Sequence, residues 1–181
     1  MNILDAQKDM RYGFFGGGVG MFVSGAIWFL AGLIALFGET NQAVWALLIG
    51  GTLIAPISSI ITKALGRSSN GTPGNPLITF AMEGTFWLIF CMPLTYAISQ
   101  MNPLWFFPAM LLVIGGRYLT FSSIYGMRIY WVCGVLLAAA SVALVVFNLP
   151  FGIQPFIGAL IEIALAPFAF IHGRKEGKLS G

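Results

Sequence analysis

Six apolar runs, residues 14–37, 43–62, 77–99, 104–123, 128–147 and 154–172, occupy most of the 181-residue chain. A helix needs ~20 predominantly apolar residues to cross a hydrocarbon core about 30 Å thick, and each run is about that long. The expected fold is all-α, a polytopic transmembrane bundle of six spans, with the lipid bilayer as its first partner. Only 8% of residues are charged, against about a quarter in a soluble domain, so the chain lacks the means to coat a water-facing surface. A single transmembrane domain over 1–181 follows, with 1–12 as an interfacial N-terminal segment and 173–181 as a basic tail. The first residues do not read as a signal peptide: Asp5 and Asp9 dilute their charge, and the apolar run after them is too long.

Short polar turns at 38–42, 100–103 and 148–153 separate the runs. The one longer connection, 63–76, carries Asn-Gly, Pro-Gly and Asn-Pro pairs that punctuate loops. With six spans, the termini and the second and fourth connections share one side. That side holds Lys8, Arg11, Lys63, Arg67, Arg117, Arg128, Arg174, Lys175 and Lys178, all nine basic residues when Arg117 is assigned to it. Cytoplasmic loops carry the excess of Lys and Arg, so both termini are expected in the cytoplasm. Trp45, Trp105 and Phe106 are expected in an aromatic belt at the opposite interface. The net charge of +3 does not indicate a nucleic-acid partner, because the basic residues are scattered between apolar runs and form no patch.

Weak internal similarity relates the first span to the third (SGAIW at 24–28, EGTFW at 83–87). It also relates the second to the fourth (LLIGGTLIAP at 47–56, LLVIGGRYLT at 111–120). Three helical hairpins in one orientation, as in parallel membrane repeats, are the expected arrangement. Gly16, Gly20 and Ser24 recur every four residues, the small-xxx-small spacing of closely packed membrane helices. Such a row serves packing within the bundle, a homo-oligomer interface or a pathway lining. Cys91 and Cys133 sit in apolar runs and read as reduced thiols.

Three ionisable residues lie within the spans: Glu83, Arg117 and Glu162. A charge at mid-helix costs ~2.5–3.5 kcal/mol on insertion scales, so such residues are functional candidates by default. Glu83 and Arg117 each lie six residues, about 9 Å, inside the same face of the membrane. A Glu83–Arg117 pair is expected, the alternative being an Arg117 that snorkels to the headgroups beside a neutral Glu83. In functional form this is a polar cavity rimmed by Tyr118, Ser122, Ser123 and Tyr125 that holds an anionic or polar solute against Arg117. Glu162 lies deep in the sixth span with no basic residue at its level. Desolvation disfavours its charged form. It is expected to be protonated, either as a hydrogen-bond donor across helices or as a proton or cation relay.

Motifs of catalysis are missing: no H-E-x-x-H, no G-x-S-x-G and no phosphate-cradling loop occur, and His172 stands at a helix end without catalytic company. No metal ligand set or cofactor is expected, and the chain does not read as an enzyme.

The segments AVWALLIGG (43–51), GTPGNPL (71–77), WFFPAMLLVIGGRYLTF (105–121) and IYGMRIYW (124–131) resemble a family of small bacterial six-span membrane proteins carrying a domain-of-unknown-function label. The resemblance implies a bacterial inner-membrane protein, multi-pass, and assigns no activity and no site residue. Three functions compete. The first is a transporter or channel for a small solute or ion, acting as a homo-oligomer. The second is a non-transporting scaffold or accessory subunit, in which the buried charges hold helices together. The third is an intramembrane enzyme acting on lipid, with Glu162 or His172 at the end of a lipid-sized groove.

Overall fold

The computed structural model describes residues 1–175; residues 176–181 of the expected basic tail, Lys178 among them, lie outside the described residues. Helices and turns make up the described chain, with no strand among the described residues. Six helices are long and apolar enough to cross a membrane, and the molecule is a multi-pass membrane protein. A short helix α1 (Ile3–Phe14) precedes the spans α2 (Gly18–Phe37), α3 (Thr40–Ala64), α4 (Pro76–Met101), α5 (Phe106–Tyr125), α6 (Ile129–Val146) and α7 (Gln154–Arg174).

Local chemistry sets these boundaries. Asn2 caps α1 by accepting from the Asp5 amide at 2.8 Å, and Asn75 caps α4 by accepting from the Leu77 amide at 3.0 Å, with Pro76 in the first turn. Between α1 and α2 the chain turns through Phe15–Gly17, where Gly16 and Gly17 take φ of 61° and 80°. These left-handed conformations carry no steric cost for glycine and end the first helix. One face of α1 is buried, through Ala6, Asp9, Met10 and Gly13, while Ile3 and Leu4 are exposed. That division suits a helix lying along a membrane surface.

The spans pack through small residues. Gly18, Gly25 and Gly32, seven apart on α2, face α7: a Cβ on Gly25 would stand 2.7 Å from Ile163 Cγ1, and one on Gly32 2.8 Å from the Phe156 ring. Gly18 lies against the Phe170 backbone. Close backbone approach thus joins the first span to the last. The expected row of Gly16, Gly20 and Ser24 is corrected accordingly. Gly16 sits in the left-handed turn and packs on Ala169 and Gly173, whereas a Cβ on Gly20 would meet only Ser58 Oγ, at 3.7 Å. Gly115 and Gly134 bring α5 and α6 together in the same way. The Ser141 hydroxyl donates to the Pro108 carbonyl at 2.7 Å, linking the same two helices. Phe106, expected in an outer aromatic belt, is fully buried against Phe107, which also meets Trp28 and Phe151. Trp45 and Trp105 are exposed.

Each expected hairpin pairs neighbouring spans, yet the most extensive packing is α2 on α7 and α5 on α6. The successive spans α3 and α4 touch little. Both are mostly exposed along their apolar length, and a cavity lies between them.

Candidate functional site

The cavity has a volume of about 360 Å³ and is walled by α2, α3, α4 and α5. From α3 comes a face of small and hydroxylic residues, Gly51, Thr52, Ala55, Ser58, Ser59 and Thr62, spaced as one side of a helix. From α4 come Ile78, Met82, Thr85, Ile89 and Met92, and from α5 Ile114, Arg117, Tyr118, Phe121 and Tyr125. Gly20, Met21 and Ser24 of α2 complete the wall, and Met10, Phe14 and Ser69 close the end nearest α1.

Arg117 is the one charged side chain in this lining. Its Nη2 donates to Thr85 Oγ1 at 2.9 Å, and its guanidinium carbon lies 5.1 Å from the centre of the Phe121 ring. The Nε atom is buried without a hydrogen-bond partner. A neutral hydroxyl and an aromatic face orient the guanidinium without cancelling its charge. The expected Glu83–Arg117 pair does not form: no ion pair joins the two residues, and Glu83 is exposed on the outside of α4. The cause is angular. A helix turns about 100° per residue, so Thr85, which faces α5, sits some 200° round from Glu83. Gly84 also turns toward α5, facing Thr120.

Of the other expected residues, Tyr118 and Tyr125 line the cavity, stacked on the buried Tyr130 at 5.9 and 5.4 Å between ring centres. Ser122 and Ser123 do not line it. Ser123 is exposed, and its carbonyl accepts from Gln7 Nε2 at 2.8 Å. Gly20 and Ser24, expected in helix packing, an oligomer interface or a pathway lining, belong to the wall.

Glu162 is fully buried in α7, and neither carboxyl oxygen has a hydrogen-bond partner. Ser24 and Tyr118, both residues of the cavity wall, stand beside it, and Arg117 is within electrostatic reach. Glu162 thus has a basic residue within electrostatic reach, where none is expected from the sequence, but no ion pair joins Glu162 and Arg117. His172 is exposed near the end of α7. Cys91 and Cys133 are free thiols. No group of three or more His, Cys, Asp and Glu among the described residues could hold a metal ion.

Two parts of the site escape a reading of charges alone. Thr85 is neutral, and only its place beside a glycine in the third span marks it. The α3 hydroxyl face is visible as residues 51, 52, 55, 58, 59 and 62 once a helical period is applied to the second run.

The end near α1 is fastened by a second polar cluster. The buried Asp9 carboxylate accepts from the Thr72 amide at 2.8 Å, the Thr72 hydroxyl at 2.6 Å and Asn75 Nδ2 at 2.8 Å. Asn75 Nδ2 also donates to the Ala6 carbonyl at 3.0 Å. Burial alone would raise the pKa of the Asp9 carboxyl, but the bonds from Thr72 and Asn75 outweigh it and hold the group below its ordinary value. Arg67 adds a bond to the Tyr12 carbonyl at 2.7 Å and lies 3.9 Å over the Tyr12 ring.

Residues 3–172 match a family model described as a family of unknown function, DUF7010. No curated protein and no solved structure matches the chain.

Proposed function

We propose that this chain, which belongs to the DUF7010 family of unknown function, is a membrane carrier for a small organic anion. One observation carries the proposal: a lone guanidinium, held by a neutral hydroxyl, faces a cavity that is otherwise apolar and hydroxylic. An arginine fork matches a carboxylate or similar oxyanion in two parallel hydrogen bonds. In a low-dielectric wall that attraction is screened far less than in water. The one-sided distribution of Lys and Arg supports cytoplasmic termini, and on that reading the α1 end of the cavity is on the cytoplasmic side.

Glu162 supplies the coupling site in this scheme. It faces Ser24 of α2, Arg117 and Tyr118 of α5 and Cys133 of α6. A bound anion and a carboxylate on Glu162 repel one another, so an anion at Arg117 and a proton on Glu162 stabilise each other. Anion movement is then accompanied by a proton.

The test is uptake of radiolabelled octanesulfonate, a permanent anion with an apolar chain, into proteoliposomes. Saturable uptake by wild type that falls at least tenfold in Arg117→Gln supports the carrier. Rates equal to those of protein-free vesicles overturn it and leave the scaffold role, in which the buried charges only hold helices together.

A further inference from the structure

The position of the cavity's opening identifies the kind of anion. At the end away from α1, α3 and α4 are in contact: the Trp45 and Tyr96 rings lie 5.1 Å apart, and Gly51 faces the Met92 methyl. Toward the other end the cavity lies between the two helices, and residues 65–75 connect them. That end is closed. Met10, Thr62 and Ser69 line the cavity and are buried, and Ser69 Oγ donates to Ser59 Oγ at 2.7 Å. The Asp9–Thr72–Asn75 cluster fastens the loop beneath.

The exposed lining residues lie elsewhere. Thr52 and Ala55 of α3 and Met82 and Ile89 of α4 line the cavity and are exposed, Met82 at 55% and Ile89 at 41%. All four are inside spans, Thr52 and Ile89 near mid-length, so this slit between α3 and α4 faces hydrocarbon and not water.

We infer that the ligand is a single-chain amphipathic carboxylate that enters sideways from the leaflet on the α1 side, its head on Arg117 and its chain in the slit between α3 and α4. The inference rests on the anion-binding role of Arg117 proposed above and adds the ligand's class and route. The lining fits this ligand. One cation with Thr85 beside it suits one anionic head. Met10, Met21, Met82 and Met92 offer flexible, polarisable surface to an alkyl chain. The volume, about 360 Å³ and near the lower end of ordinary ligand pockets at about 300–1,000 Å³, suits one chain.

The test uses a 12-carbon fatty acid bearing a diazirine on its chain, photolysed in proteoliposomes, with adducts located by mass spectrometry. Adducts are expected to concentrate on Thr52, Ala55, Met82 and Ile89. They should be displaced by excess dodecanoate but not by acetate, and fall about tenfold in Arg117→Gln. Ala55→Trp, a change at an exposed lining position that narrows the slit, should lower the adducts on Thr52, Met82 and Ile89 while leaving the melting temperature unchanged. Labelling spread evenly over the outer residues Phe80, Trp87 and Phe90 overturns the lateral route. Displacement by acetate as effective as by dodecanoate leaves Arg117 an anion site but refutes the amphiphile. Displacement by neither removes the anion site as well.

Discussion

Arg117 Nη2 reaches Thr85 Oγ1 at 2.9 Å, two residues along α4 from a Glu83 that points out of the bundle. This contact, and not an ion pair, ties α5 to α4 at the level of the cavity. Thr85→Val removes the acceptor from a half-buried cation and should lower stability by about 1–2 kcal/mol. Glu83→Gln touches an exposed group and should change it by less than ~0.5 kcal/mol. Thermal unfolding of the two variants in detergent distinguishes them, and the opposite ranking would restore the ion pair.

The glycines of α2 divide by what lies opposite them. Gly25→Ala puts a Cβ 2.7 Å from Ile163 Cγ1 and 3.2 Å from the Ile163 amide nitrogen, an overpacking that should cost roughly 1–3 kcal/mol. Gly20→Ala meets only Ser58 Oγ at 3.7 Å, and the higher helix propensity of alanine, up to ~1 kcal/mol, makes it neutral or stabilising. Equal melting temperatures for the two variants would contradict the seven-residue packing row.

Acid should loosen the fastening at the α1 end. Asp9 is held below its ordinary value of 3.8, so its contribution is complete above that value and is lost as pH falls through the lower value of the folded protein. At pH 6, Asp9→Asn should be less stable than wild type by about 2 kcal/mol, through lost hydrogen bonds to a charged group. The gap should narrow as pH is brought to 3. A gap that stays constant or widens toward pH 3 would show that the carboxylate is not what holds the loop.

Glu162→Gln should leave the protein folded and keep binding at Arg117 while removing its dependence on pH. Octanesulfonate carries no titrating proton of its own, so proton uptake on binding, read with a pH dye in weakly buffered solution, reports on the protein. In alkaline solution, where Glu162 is ionised before the anion binds, up to one proton per anion is expected for wild type and none for Glu162→Gln. Equal uptake in both would end the coupling role.

The spans were legible because length and apolar content depend on nothing beyond the local chain, and the structure places a helix on each run. Direction around each helix was not. Glu83 was paired with Arg117 on depth alone, whereas applying 100° per residue to Gly84 and Thr85 turns Glu83 outward once α5 is placed against them. The partnership of Arg117 and Glu162 was hidden for another reason. They sit on the fourth and sixth spans, and nothing local says that α7 packs on α2 closely enough to put Glu162 behind Ser24 and Tyr118. Phe106 was misplaced because proximity to a span end does not reveal that its ring turns inward onto Phe107.

Whether Arg117 holds an anion in the cavity between α3 and α4 is decided by equilibrium binding of octanesulfonate to the protein in lipid nanodiscs, for wild type, Arg117→Lys and Arg117→Gln. Wild type should show one saturable site, Arg117→Lys intermediate affinity, where the charge remains but the fork is lost, and Arg117→Gln at least tenfold weaker binding. Indistinguishable isotherms for the three proteins would contradict an anion site at Arg117.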